Sequence, residues 1–246
     1  MQLLNVKYNM QLFYNKFITE SSKEVKFDKE ESRHIYKVLR KKEGSILHLT
    51  NGSGYLIKAE LIISNPKNCI ATILEIKKQE PLPYSLHLAV APTKLNDRYE
   101  WFLEKATEIG ITEITPIICK HSERKVIKIE RFEKKIQSAM KQSIKAYLPK
   151  INEAITFRDF LKLQESNVHQ KLIAHCEETN KQSIKSILSS NKNTTILIGP
   201  EGDFSTNEIN ESIKAGYIPV TLGSSRLRTE TAAIVACHSV AFINEV

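Results

Sequence analysis

The stretch Ile196-Leu197-Ile198-Gly199-Pro200-Glu201-Gly202-Asp203-Phe204-Ser205 decides how this chain folds. Its first three residues read as the end of a buried strand, and Gly-Pro-Glu-Gly ends it, because proline has no N–H to give a ladder. Ser205 and Glu208, three apart, then form a capping box, so a helix runs on to about Ala215. A strand that passes through a glycine turn into a capped helix is the building unit of a parallel α/β sheet.

The same alternation continues on both sides. Strands are predicted over 86–91, 114–119, 172–175, 195–198 and 217–222. A helix over 96–109 puts Tyr99, Phe102, Ala106 and Ile109 on one face, with Gly110 as its stop. A second over 132–147 carries Ile136, Met140, Ile144 and Tyr147 on one face. A last one over 229–243 is apolar nearly all round and is predicted to be buried, with Thr229 as its N-cap.

Upstream the period changes. Lys77-Lys78-Gln79-Glu80-Pro81-Leu82-Pro83 reads as a linker. Before it come short strands over 46–50, 55–61 and 69–76, with Asn51-Gly52-Ser53-Gly54 as the turn between the first two, and a helix over 30–41 bearing Ile35 and Leu39. Short strands with one helix suggest a small β-barrel. The expected division is an extension over 1–9, a barrel over 10–80 and an α/β domain over 84–246.

The chain holds 36 Lys and Arg against 28 Asp and Glu, a net charge of +8. Residues 120–150 contain Lys120, Arg124, Lys125, Lys128, Arg131, Lys134, Lys135, Lys141, Lys145 and Lys150 against Glu123, Glu130 and Glu133, so 10 − 3 = +7 of that excess sits there. A solvated helix face explains any one lysine; the cluster reads as a phosphate-contacting stripe. With 41% hydrophobic and 26% charged residues the composition is globular and excludes a disordered chain. No apolar stretch is long enough to span a membrane, no secretory signal is read, and the four cysteines lie too far apart for a zinc site or disulfide framework. A cytoplasmic protein without metal is expected.

Chemistry concentrates in three segments. The Gly199–Gly202 turn offers backbone N–H groups before a helix, which suits an anion or the polar atoms of an adenosyl ligand, although a plain β–α turn is at least an equal reading of the glycine spacing. Neither Gly-x-x-x-x-Gly-Lys-Ser/Thr nor Gly-x-Gly-x-x-Gly is present, which disfavours an ATPase or a nicotinamide dehydrogenase. Leu222-Gly223-Ser224-Ser225-Arg226-Leu227-Arg228-Thr229-Glu230-Thr231-Ala232 puts two arginines at a strand-to-helix mouth. Lys94 and Arg98 stand on the same rim, although capping by Asn96 or Asp97 is an equal reading of that turn.

These segments, with Arg33-His34-x-x-x-Val38-Leu39-Arg40, Glu104-Lys105-x-x-Glu108-Ile109-Gly110 and His121-Ser122-Glu123-Arg124, resemble the RsmE family, the ribosomal RNA small-subunit methyltransferases E. The resemblance runs from about Met10 to the end. It implies a C-terminal SPOUT-type methyltransferase domain with a trefoil knot and a mostly parallel sheet, and a PUA-like N-terminal barrel. It implies S-adenosylmethionine as methyl donor, a homodimer, and methylation of uridine N3 in the decoding region of 16S rRNA on the assembled small subunit. Cofactor contacts are then expected from His175, Leu197, Gly199, Pro200, Glu201, Gly202, Leu222, Gly223, Leu227, Arg228, Thr231 and Ala232. RNA contacts are expected from Arg33, His34, Arg40, Lys94, Arg98, Arg124, Lys141 and Lys145. Arg228 is expected to stabilise the uracil oxygen or position phosphate, with Glu201 and Glu230 as candidate bases. Lys145 departs from the family pattern, standing one place late where an arginine is usual, and keeps the charge without the bidentate fork. The rival readings are a knotted ribose 2′-O methyltransferase and a non-catalytic RNA-binding ribosome assembly factor.

Overall fold

A computed structural model describes residues 10–164, 170–178 and 180–245; the extension expected over 1–9 lies outside them. The chain forms two compact units, one of residues up to Pro81 together with Met140–Leu148, the other of Leu82–Ala139 and the residues from Pro149 onward.

The first unit contains β1 (Leu12–Tyr14), β2 (Glu24–Lys26), α1 (Lys29–Arg33), β3 (Ile46–Thr50), β4 (Tyr55–Ile63) and β5 (Ile70–Lys78). They form a five-stranded sheet in the order β1-β3-β4-β5-β2, antiparallel except where β1 runs parallel to β3. Alternation sends Leu47, Leu49, Ile57, Ala59 and Leu61 into a core with Phe13, Phe27 and Ile35. Asp28 caps α1 by accepting the Glu31 N–H at 2.8 Å. The helix expected over 30–41 is an α-helix only to Arg33; a π turn over His34–Val38 follows, and Arg40 at φ 52° ends the winding. The looser turn still buries Ile35 and packs Leu39 on the core.

Met140–Leu148 completes this unit. Thr50 Oγ1 and the Gly54 N–H both donate to Ala146 O at 3.0 Å, and Leu148 N donates to Gly52 O at 2.9 Å. The backbone of 146–148 is thereby drawn away from helical pairing. The helix expected over 132–147 therefore ends at Gln142, and Ile144 takes a left-handed φ of 55°.

The second unit follows strand and helix alternately: β6 (Leu86–Val90), α2 (Asn96–Ile109), β7 (Glu113–Ile118), α3 (Ile129–Gln142), β8 (Lys150–Ile151), β9 (Ile155–Thr156), α4 (Phe157–Leu163), β10 (Gln170–Ala174), β11 (Gln182–Ser183), α5 (Ile184–Ile187), β12 (Thr194–Ile198), α6 (Thr206–Lys214), β13 (Ile218–Thr221) and α7 (Thr229–Asn244). The strands pair in parallel in the order β11-β13-β10-β12-β6-β7-β8, with β9 beside β7. β6 and β12 are buried at every residue, as central strands of a sheet covered on both faces must be. Ala89, Ile117, Ile173 and Leu197 meet Phe157, Phe160, Phe204 and Tyr217 in the core.

Three local expectations need correction. α7 is not buried all round: it lies along α2, β6 and β12 through Ala233, Ala236, Cys237 and Val240, while Phe242 stays 64% exposed. Thr229 is the first helical residue and not the cap, its hydroxyl donating instead to Gly199 O at 3.1 Å. At α2 the cap position is Leu95, without a side-chain bond, and neither Asn96 nor Asp97 fills it. The Ser205–Glu208 capping box forms, and Gly110 ends α2 at φ 128°.

Candidate functional site

The turns after β10, β12 and β13 meet at the carboxyl ends of adjacent parallel strands, where open α/β sheets hold their ligands. They enclose a cavity of about 940 Å³. His175 and Cys176 contribute from the first turn, Gly199, Pro200 and Glu201 from the second, and Leu222, Gly223, Leu227 and Arg228 from the third; Arg98 and Ala232 close the wall.

Each turn is held by its own bonds. Asp203, in the left-handed region at φ 61°, accepts the Phe204 N–H at 2.8 Å through Oδ1 and the Cys176 N–H at 2.7 Å through Oδ2. One carboxylate thus fastens the turn after β12 to the turn after β10. Gly199 presses on the ring of Phe204, which a Cβ would meet at 3.0 Å. Gly223 has φ 134°, and a Cβ there would meet nothing within 4 Å, so this backbone faces open space. Glu201 Oε1 accepts the Lys94 N–H at 2.9 Å, whereas its Oε2 is buried without a partner.

His175 is buried, and neither ring nitrogen has a hydrogen-bond partner. Burial first, and the nearby Lys181 second, hold its pKa below the ordinary imidazole value, against the opposing pull of Asp203 and Glu177.

Beside the cavity lies a depression of about 600 Å³ lined by Arg98, Trp101, Arg226, Arg228, Glu230 and Thr231. Glu230 is buried, with Oε1 3.8 Å from the Arg98 guanidinium and Oε2 unpartnered. Three expected cofactor contacts lie off the cavity wall. Leu197 points into the core because strand alternation gives that side to Ile198, and Gly202 backs onto His121, whose Cβ would lie 3.0 Å from one added at the glycine. Thr231 faces the neighbouring depression instead.

The basic stripe is thinner than its sequence. Arg131 pairs with Glu100 and Asp97, Lys135 with Glu100 and Glu104, Lys141 with Glu31 and Lys150 with Glu113. Lys94, expected to meet RNA, is bound to Glu123 at 2.9 Å. Among the described residues no ion pair engages Lys120, Arg124, Lys125, Lys128 or Lys134, and Arg124 Nε donates to Val126 O. Lys145 is half-buried in the first unit, where Arg33 and Arg40 are exposed and His34 Nε2 lies 2.9 Å from Gln11 Nε2. Asp203, Cys176, Lys181 and Trp101 are contributors that sequence reasoning did not single out; no local pattern marks them.

A parallel sheet with a cavity at its carboxyl edge and an arginine-bearing rim defines an α/β protein with a ligand-sized site at its sheet edge. Residues 80–241 match the RNA methyltransferase domain family, and residues 27–74 match the RNA methyltransferase PUA domain. A ribosomal RNA small subunit methyltransferase E of Rickettsia conorii is 34% identical over 240 residues, 96% of each chain. One from Buchnera aphidicola is 34% identical over 85% of each. Among solved structures, a probable rRNA-methyltransferase from Porphyromonas gingivalis superposes with a TM-score of 0.87 at 38% identity, covering 96% of this chain and 98% of its own. A ribosomal RNA small subunit methyltransferase E from Neisseria gonorrhoeae, bound to S-adenosyl methionine, gives 0.84 at 26% identity with the same coverage. This chain belongs to the ribosomal RNA small subunit methyltransferase E family.

Proposed function

We propose that this chain transfers the methyl group of S-adenosylmethionine to N3 of a uridine in 16S rRNA, on the assembled small subunit and as a homodimer. The observation that carries the reading is the cavity itself. Its volume of about 940 Å³ lies within the ~300–1,000 Å³ typical of small-molecule sites. Open backbone at Gly223, the imidazole of His175 and the buried Oε2 of Glu201 offer an adenosyl ligand donors and acceptors that the protein leaves free. When bound, S-adenosylmethionine supplies an electrophilic methyl group on a sulfonium.

The chain's own residues address the other half of the problem. Uridine N3 carries a proton that must leave as the new bond forms, and negative charge then grows on the uracil oxygens. Glu201 and Glu230 each keep an unpartnered carboxylate oxygen to accept that proton, one in the cavity and one beside it. Arg228 lines both and stands ready to stabilise the oxygen. Arg98, held beside Glu230, orients the same wall.

The first unit, with Arg33, His34 and Arg40, serves in this reading to recognise RNA, and Arg124 with the unengaged lysines near it contacts phosphate. A second copy covers the exposed Phe242 and Ile243 of α7, and the C-terminal segment forms the threaded end of the knot. No helix among the described residues is long and apolar enough to cross a membrane; a cytoplasmic location belongs to the same reading.

Mass spectrometry of 16S rRNA from a deletion strain tests the function. Loss of one N3-methyluridine, restored by the gene, is expected; its persistence refutes the reading. Loss of a ribose 2′-O-methyl group would favour the rival chemistry.

A further inference from the structure

Two open spaces meet at the turn that carries Glu201. One is the cavity of about 940 Å³; the other is a depression of about 530 Å³ lined by Lys120, His121, Gly202 and Thr206, and Asp203 lines both. Gly202 is exposed and Glu201 and Asp203 are half-buried, so bonds from neighbouring turns, more than core packing, hold this backbone. The Lys94 N–H donates to Glu201 Oε1 at 2.9 Å, and the Cys176 N–H to Asp203 Oδ2 at 2.7 Å. The third hold comes from a side chain. His121 Nδ1 lies 3.1 Å from the Gly202 carbonyl oxygen and 3.1 Å from that of Asp203. A carbonyl only accepts, so Nδ1 carries the proton and shares it between the two.

His121 reaches this turn from the basic stripe. It opens residues 121–128, which form neither helix nor strand. Arg124, Lys125 and Lys128 stand there, and no ion pair engages them among the described residues. Around His121, the Lys120 N–H donates to Glu208 Oε1 at 2.8 Å, and Glu123 pairs with Lys94 at 2.9 Å. We infer that His121 is a positioning residue that carries RNA binding on residues 124–128 to the cavity, so that RNA and the adenosyl ligand each tighten the other's binding; this deepens the methyl-transfer reading and rests on it. Phosphates that neutralise Arg124, Lys125 and Lys128 fix the segment. The fixed imidazole then holds the Gly202 and Asp203 carbonyls, and with them the backbone that bears Glu201. An adenosyl ligand that needs this turn in place finds it already ordered, and linkage makes the effect reciprocal.

The test is the affinity for S-adenosylhomocysteine, the donor without its methyl group, measured with and without saturating small ribosomal subunits from a strain lacking the gene. In the wild type the subunits are expected to tighten binding about fivefold. His121→Asn places an amide N–H where Nδ1–H stands and should keep that gain. His121→Gln places its amide at the Nε2 position and should lose it, the subunits then changing affinity less than about twofold. A purely structural role would not separate two variants that melt alike. Equal coupling in the Asn and Gln variants, or no tightening in the wild type, overturns the inference. Should the variants not fold, nitrogen NMR of the wild-type ring decides: a neutral His121 protonated at Nδ1 is expected, and one protonated at Nε2 overturns the inference. A wild-type chain that binds no S-adenosylhomocysteine, or that transfers no methyl group from S-adenosylmethionine to these subunits, would instead overturn the methyl-transfer reading.

Discussion

Removing the Asp203 carboxylate should loosen the cavity without touching any group on the opposite wall. The side chain makes two bonds to backbone N–H groups, at 2.7 and 2.8 Å, one to Cys176 in the neighbouring turn and one to Phe204 in its own. Hydrogen bonds to a charged group contribute roughly 1.5–3 kcal/mol each; at this half-exposed position the lower figure applies, giving about 3 kcal/mol for the pair. Asp203 also sits at φ 61°, where glycine is at ease and alanine is not, so alanine should be worse than glycine by about 1 kcal/mol. Asp203→Gly is thus expected to lose about 3 kcal/mol of local stability and Asp203→Ala about 4 kcal/mol. Each 1.4 kcal/mol that a ligand must restore by re-seating the turn weakens its binding about tenfold. Titration with S-adenosylhomocysteine should show roughly tenfold to hundredfold weaker binding for the glycine variant, and urea unfolding a lower midpoint. A glycine variant equal to wild type in both measurements would refute the tether. Alanine and glycine variants of equal stability would refute the backbone part of the argument alone.

Other outcomes follow from the same geometry. On the role proposed for Arg228 in stabilising the uracil oxygen, Arg228→Ala should cut turnover about 100-fold while S-adenosylhomocysteine binding changes less than about threefold; equal losses in both would contradict that role. Gly110→Ala forces a side chain onto φ 128° and should lower stability by about 1–2 kcal/mol, seen as a lower melting temperature. Replacing Lys125 and Lys128 by alanine should reduce the salt dependence of RNA binding, log K against log salt, by about 0.7 per lysine, whereas Arg131→Ala, already paired with Glu100, should change it less. Equal slopes for the three variants would refute the division of the stripe into engaged and free cations.

What could be read in the sequence was what neighbours along the chain decide. Ser205 and Glu208 are three residues apart and cap each other, so α6 was legible before any fold was known. Gly110 stops α2 by its own conformational freedom, and the aliphatic runs of β6 and β12 announce a parallel sheet. What failed depended on partners far off in sequence. The apolar spacing of 132–147 looks helical throughout, yet Thr50, Gly52 and Gly54 claim the backbone of its last residues. Thr229 has the chemistry of a cap, but the Gly199 carbonyl is within reach of its hydroxyl. The charge of 120–150 is real, while the acids that quiet part of it, Asp97, Glu100, Glu104, Glu31 and Glu113, stand outside that window. Of the cavity, the glycine and arginine turns were visible as motifs. Asp203 was not, because a left-handed aspartate bridging two turns leaves no periodic trace.

The return of Met140–Leu148 to the first unit has a consequence during synthesis. The Thr50 hydroxyl, the Gly54 N–H and the Gly52 carbonyl bond to Ala146 and Leu148, and residue 148 is translated 148 − 81 = 67 residues after the unit's first segment ends at Pro81. At ~5–20 residues per second the nascent barrel waits about 3–13 s for its closing segment, with much of the second unit's first half already made. A chain cut at Pro81 would leave that wait permanent, so the two units cannot be divided by a single cut of the gene.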